Sequence, residues 1–129
     1  VHQVLSRDNS GSSRAWQFRI NSSDEANFIV FDEGGANSSV TSANTISQST
    51  WTHIVGTWDG ATIKVYIDGL LDNSSAFAGK LSKNETGDAF IGQSENGSPG
   101  YFDGRIDDAR IYNKALSSSE IQALFSQGQ

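Results

Sequence analysis

Apolar positions along the chain fall into short runs separated by polar, turn-forming stretches, and most of the runs alternate. AWQFRIN sets Trp16, Phe18 and Ile20 at every second residue, the spacing that puts side chains on one face of a β-strand. HQVLS ahead of it reads as another strand, with the polar stretch RDNSGSSR as the loop between them. NFIVF is apolar at consecutive positions, which predicts a strand covered on both faces, and Gly34 and Gly35 end it. WTHIVGTW, residues 51–58, predicts the next strand, and Ile63, Val65 and Ile67 mark the core face of the one after. Asp59-Gly60 and Asp68-Gly69 follow these two runs. Asp-Gly between alternating segments predicts a type I′ hairpin, because glycine takes positive φ without steric cost. Two such turns in succession give an antiparallel meander.

The C-terminal quarter combines two patterns. After a loop rich in Gly, Ser, Lys and Asn comes a short AFIG segment, then QSENGSPGY, then FDGRIDDARIY, which reads as the final strand. Ile106 and Ile111 are five residues apart on it, so a β-bulge near Asp107-Asp108 is needed to turn both inward. Gly104 within this run predicts a close backbone approach. A helix follows. Ser117 and Glu120 have the S-x-x-E spacing of a capping box, and Ile121, Leu124 and Phe125 form an apolar stripe at i, i+3, i+4. About two turns of helix are not stable alone. The segment is therefore expected to dock on the strands, with Leu116 as a staple, and to cover an end of the core.

Composition narrows the class without changing the pattern. The 129 residues suffice for one domain with a real core. Hydrophobic residues at 36% and charged residues at 19%, with many Gly, Ser, Asn and Thr, suit an all-β chain of short strands and polar turns. No apolar run approaches the ~20 residues that cross a bilayer, and no basic segment leads into an apolar one. A start at Val1 with no Met in the sequence predicts a piece of a longer product. The chain has no Cys, which removes disulfides, thiolate metal sites and thiol nucleophiles; this suits bacterial exported or cytosolic proteins better than animal extracellular modules. A net charge of -6 disfavours nucleic acid, whose binding draws on Lys and Arg. Metal cations and neutral ligands such as sugars stay open.

Taken in order, W-T-H-I-V-G-T-W-D-G, I-K-V-Y-I-D-G, F-I-G and F-D-G-R-I-D-D-A-R-I-Y-N-K-A-L with S-x-x-E-I resemble the laminin-G-like branch of the concanavalin A-like lectin and glucanase superfamily. The resemblance runs over residues 51–125. It implies an antiparallel jelly-roll β-sandwich closed by a short helix after its last strand. It also implies that residues 1–129 form a single domain lacking N-terminal strands of the full family fold, which would expose a sheet edge to a partner chain.

Candidate chemistry divides into three classes. Glycoside hydrolysis needs two carboxylates ~5–9.5 Å apart. The acidic pairs Asp24-Glu25, Asp32-Glu33 and Asp107-Asp108 are adjacent in sequence, so on a strand they face opposite ways. His2 and His53 have no evident Ser or Cys partner, and the chain reads as non-catalytic. A calcium site is the second class. Calcium takes six to eight oxygens, which loops at a sandwich edge can gather. Asp8-Asn9 and the G-Q-S-E-N-G loop with Glu95 and Asn96 are similar to the two calcium loops of pentraxins, which share the jelly roll. Ser94 and Asn96 stand where pentraxins carry acidic groups, and Asp103 and Asp107 are alternative ligands. Sugar binding is the third class, with Tyr101, Trp16 and Trp58 as candidate platforms and Tyr101, beside Pro99-Gly100, as the one expected at the surface. Tyr66 is a further aromatic candidate, expected in the core. Asp108 and Arg110 are expected to pair. Asn21, Asn37, Asn73, Asn84 and Asn96 fit N-x-[ST], which predicts exposed loops. The functional expectation is a carbohydrate- or glycoprotein-binding module of an exported protein, extracellular or at the cell surface and calcium-dependent. The alternative is an adhesion or oligomerisation domain completed by a partner strand, as a homo-oligomer or with another chain.

Overall fold

In the computed structural model, residues 1–8, 14–83, 87–93 and 100–128 are described. Two antiparallel sheets face each other. The first has five strands in the order β4-β3-β2-β1-β8, the second three in the order β5-β6-β7. The first is a meander of β1 (His2–Asp8), β2 (Arg14–Ile20), β3 (Glu25–Phe31) and β4 (Asn37–Thr45), with β8 (Phe90–Ile91) added on the outer side of β1. β5 (Ile54–Trp58), β6 (Thr62–Ile67) and β7 (Leu70–Ala76) make the second.

Between the sheets lies the expected core face. Phe18, Ile20, Ala26, Val30 and Val40 of the first sheet meet Ile63 and Val65 of the second. NFIVF is covered on both faces as expected, since Ile29 and Phe31 are buried on the side away from this core. The sheets come closest where β5 passes β3. A Cβ built on Gly56 would stand 2.5 Å from Cγ of Phe28, so this strand position admits hydrogen and nothing larger.

The two Asp-Gly turns differ. Asp68 and Gly69 both take positive φ, 49° and 81°, and connect the paired residues Ile67 and Leu70, as a two-residue type I′ hairpin requires. At the other, Trp58 pairs with Ile63, so four residues form the loop. Asp59 Oδ1 accepts the N–H groups of Ala61 and Thr62 there, which holds its carboxyl below the usual range.

Helix α1 (Ser118–Gln127) starts as its sequence predicts. Ser117 Oγ accepts the Glu120 N–H at 3.2 Å, and Glu120 Oε2 accepts the Ser117 N–H at 2.8 Å. Leu116 and Ile121, the N′ and N4 positions of a hydrophobic staple, are buried with Tyr66, and Val55 and Leu124 pack around them. Val55 and Tyr66 are paired across β5 and β6. The helix therefore lies on the outer face of the three-stranded sheet, as a third layer, rather than over an end of the core. Tyr66 Oη sits 3.3 Å from Ser118 Oγ, giving the buried phenol a polar partner.

FDGRIDDARIY, expected to be the final strand, forms no strand. Among the described residues, 103–116 make no backbone-to-backbone hydrogen bond, and Asp108 stands at φ 53°. Alternation prepares a segment for a sheet, but a strand also needs a neighbour to pair with. The expected bulge has no ladder to disrupt. Gly104 lies exposed, and the nearest atoms a Cβ there would meet belong to the edge of the Phe102 ring, at 2.8 Å, rather than to backbone.

Three measurements check this account. Gly56→Ala should lower unfolding free energy in urea by about 3 kcal/mol, the upper part of the usual overpacking range, whereas Gly104→Ala should stay within about 0.5 kcal/mol. Ser117→Ala should lose about 1 kcal/mol, and adding Glu120→Ala should lose less than the sum of the single changes, because each side chain caps the other's N–H. His53 is half-buried, its ring 5.9 Å from that of Phe125, and burial pushes its pKa below the ordinary 6.5. The unfolded chain therefore binds the proton first, and stability should fall as pH drops below about 6.5. His53→Phe should flatten that part of the pH profile of the melting temperature.

Candidate functional site

β1 and β8 pair antiparallel through Leu5 with Ile91 and Ser6 with Phe90, so the chain leaves the two strands at opposite ends of the pair, β1 at Asp8 and β8 beside Val4. Ser6 Oγ donates to the carbonyl of Gln93 at 3.1 Å, so the chain leaving β8 folds back toward the middle of β1. These are the two stretches expected to share calcium. Asn9, Glu95 and Asn96 lie outside the described residues. Asp8 is the last residue of β1, and its carboxylate is already engaged. Arg14 Nε donates to Oδ1 at 2.7 Å, Arg14 Nη2 to Oδ2 at 3.1 Å, and Gln17 Nε2 also to Oδ2. The Asp8 carboxylate holds the Arg14 guanidinium above its ordinary pKa. Arg14 also lies over the Phe31 ring, 4.4 Å from its centroid. Asp103 and Asp107 are exposed, and Asp107 Oδ1 accepts the Asp108 N–H. No three acidic or His side chains gather into a metal-sized group among the described residues. The described side chains thus do not make a calcium site by themselves.

The aromatic candidates separate. Trp58 Nε1 donates to the Phe77 carbonyl at 2.9 Å and its ring stacks on Phe77, which fastens it to the core. Trp16 is half-buried on the inner face of β2 and packs on the core. Tyr66 is buried under α1. Tyr101 is 67% exposed, and its carbonyl lies 3.1 Å from His2 Nδ1, which ties it beside the start of β1. It alone of the three is available as a surface platform.

The acidic pairs are occupied with structural work. Asn21 Nδ2 donates to Glu25, the N–H of Ala36 donates to Asp32, and Arg110 makes a two-point ion pair with Asp108 at 2.8 and 2.9 Å. The last was expected, though not on an irregular segment. Of the described glycosylation-type Asn residues, Asn37 and Asn73 are exposed on strands β4 and β7, and only Asn21 lies in a loop. Asn84 and Asn96 lie outside the described residues.

A feature the sequence did not announce is a cleft of about 1000 Å³ between the layers. Val4, Trp16, Phe18 and Phe28, strand β5 and residues 105–116 are among the residues that line it. Trp51, Ile111 and Tyr112 stand largely exposed among its lining residues. Alternation revealed each strand's apolar face, but the missing cover over β1 and β2 depends on how many strands the opposite sheet has.

Comparison with known proteins follows the fold. A family model described as the concanavalin A-like lectin/glucanases superfamily, of laminin-G type, matches residues 1–122. Usherin of Mus musculus is 36% identical over 81 residues, which are 59% of this chain and 2% of usherin. A crystal structure of an S-layer domain-containing protein, residues 221–444, from Clostridium thermocellum superposes with a TM-score of 0.53 at 28% identity, covering 91% of this chain and 59% of that one. The heptameric SAP-like pentraxin of Limulus polyphemus gives a TM-score of 0.69 at 17% identity, over 95% of this chain and 62% of the pentraxin. The receptor binding domain of botulinum neurotoxin C/D mosaic serotype gives 0.64 at 20%, over 98% of this chain and 31% of that domain. The last two likenesses show the shared jelly roll alone. With two facing antiparallel sheets, the closing helix and a family match over nearly its whole length, the chain belongs to the laminin-G-type branch of the concanavalin A-like lectin/glucanases superfamily.

Proposed function

We propose that this domain is a non-catalytic binding module for a carbohydrate or glycoprotein, carried by an exported protein and working outside the cell or at its surface. The family match carries the reading. It is supported by a relative whose name denotes an S-layer protein, and by the engagement of Glu25, Asp32, Asp107 and Asp108 in turns and an ion pair. Tyr101 offers the exposed ring, with Asp103 beside it in the chain. No described helix is long and apolar enough to cross a membrane.

Calcium dependence is part of this proposal. Its support is the similarity of Asp8-Asn9 and the Glu95-Asn96 stretch to pentraxin calcium loops; against it stands the antiparallel β1–β8 pair, which the chain leaves at opposite ends. Asp8 would serve such an ion only by giving up Arg14, so the ion pair competes with the metal. A second reading, an adhesion or oligomerisation domain completed by a partner strand, is favoured by the outer edge of β5, which no strand among the described residues pairs.

A glycan array, run with and without calcium, tests the first reading; an absence of binders in both conditions overturns it. For the metal, about 10 mM calcium against a dissociation constant of about 1 mM should stabilise the fold by about 1.4 kcal/mol, and magnesium by much less. Arg14→Gln should enlarge the calcium shift in melting temperature. If calcium moves neither protein, the domain works without it. Sedimentation decides the second reading as a homo-oligomer, which a monomer at all concentrations excludes.

A further inference from the structure

Three aspartates in the chain are followed by glycine, at Asp59-Gly60, Asp68-Gly69 and Asp103-Gly104. Glycine in that place leaves its peptide nitrogen open to the preceding side-chain carboxyl, because no Cβ stands in the path. All three aspartates are exposed. What separates them is how firmly the fold holds each pair away from ring closure.

Asp59 Oδ1 accepts the N–H groups of Ala61 and Thr62 at 2.9 and 2.8 Å, and these bonds favour the ionised carboxyl, the form that resists attack. The carbonyl of Gly60 accepts the N–H of Gly79 at 3.0 Å. Asp68 exchanges two bonds with His53: its N–H donates to the His53 carbonyl at 2.8 Å, and its Oδ1 accepts the His53 N–H at 2.9 Å. Gly69 is buried, and a Cβ there would stand 3.1 Å from Phe125, which packs the turn against α1. Asp103 has no such restraint. The Phe102 N–H donates to the Gly92 carbonyl at 2.8 Å, and residues 103–116 make no further backbone-to-backbone hydrogen bond among the described residues. Among those residues no donor meets the Asp103 carboxylate, and Gly104 is exposed.

We propose that Asp103-Gly104 is a site of spontaneous isoaspartate formation in the folded domain. The Gly104 nitrogen attacks Cγ of the Asp103 carboxylic acid; an N–Cγ bond forms, and the N–H proton and the carboxyl hydroxyl leave as water. Water then opens the five-membered imide at either carbonyl. Opening at the original main-chain carbonyl leaves the chain running through Cγ, with the former main-chain carboxyl as a short side branch. No oxidant is consumed, and the mass is unchanged. The main chain gains one methylene between Phe102, which is held, and the cleft-lining residues from Arg105 onward, where no ladder has to stretch to admit it. The carboxylate near the exposed Tyr101 ring is drawn in toward the main chain by the same step. This chemistry is independent of any ligand the domain binds.

Each restrained pair must break two hydrogen bonds before its ring can close. Isoaspartate should therefore accumulate about thirtyfold faster at Asp103 than at Asp59 or Asp68, a ratio equal to about 2 kcal/mol of barrier. The folded chain is incubated for weeks in mildly acidic buffer and digested, and isoaspartate is located by electron-transfer fragmentation of the peptides. Deamidation at Asn96-Gly97 raises the mass and is thereby told apart. In guanidinium the restraints are lost, and the three rates should converge to within about threefold. Gly104→Ala places a methyl group in the path of attack, and should suppress the reaction at Asp103 with the melting temperature nearly unchanged. Equal rates at the three pairs in the folded chain would overturn the assignment, because the fold would then protect none of them. A lead at Asp103 that survives unfolding would also overturn it, since sequence neighbours rather than the fold would set the rate. Undiminished isoaspartate at Asp103 in Gly104→Ala would rule out attack by this nitrogen and end the proposal.

Discussion

Gly56 facing Phe28 sets the geometry on which the rest depends. Stacked sheets usually sit ~10 Å apart, with side chains of both layers filling the gap. Here the Phe28 ring occupies the place of a β5 side chain, and a Cβ at Gly56 would fall 2.5 Å from that ring. Phe28 in turn lies 5.4 Å from Phe18, so the contact reaches from β5 through β3 to β2. Ile63 and Val65 then close over Val30 and Val40 without a gap, and all four are buried. β5 ends its sheet there, and the main contacts between the sheets are those of β5, β6 and β7 with β3 and β4.

A three-stranded sheet with two open faces would be a weak partner for a five-stranded one. The helix remedies this. It covers Tyr66 and Val55 on the side away from the core, and Ile121 is wholly buried there, worth about 1.5–3 kcal/mol by transfer from water. Asp72 of β7 also accepts N–H groups of Ala43 and Asn44, and Asn73 Nδ2 donates to the carbonyl of Thr41, which fastens the smaller sheet to β4 along the opposite edge. The second sheet is thus held from above by α1 and along its β7 side by β4. Among the described residues, no strand fastens it on the β5 side.

Which parts were legible in the sequence follows from the range of the forces involved. Trp16, Phe18 and Ile20, the Asp68-Gly69 turn and the Ser117–Glu120 box are local patterns, and each forms as read. β4 went unread because NSSVTSANT has a single apolar residue on its core face, Val40; it is held also by the backbone ladder to β3, the Ala26 to Ser42 and Asn27 to Thr41 hydrogen bonds, and the Asp72 and Asn73 contacts from β7. A polar edge strand is made by its neighbour, and no periodicity shows it. The segment at Ile106–Ile111 failed in the opposite direction: the pattern is present and the neighbour is not. Position relative to the sheets was also out of reach, which is why the helix was expected at an end of the core and lies on a face.

The site residues followed the same division. Tyr101 was identified as exposed from its place beside Pro99-Gly100, a local signal, and it is. Asp8 was read as a ligand because loops with Asp and Asn gather cations, but the residue that decides its chemistry, Arg14, arrives across the β1–β2 ladder, where the two are paired. With both carboxylate oxygens accepting from Arg14 and one also from Gln17, Asp8 fixes the entry to the loop after β1 whether or not a cation is present. An exposed ion pair contributes little, but the Asp8 side chain is only 10% exposed, and removing Arg14 would leave a buried charge with Gln17 as its remaining side-chain donor among the described residues. A buried charge is costly unless it is paired or hydrogen-bonded. Arg14 supplies that pairing from within the chain, so a metal bound through Asp8 would compete with the guanidinium for its oxygens.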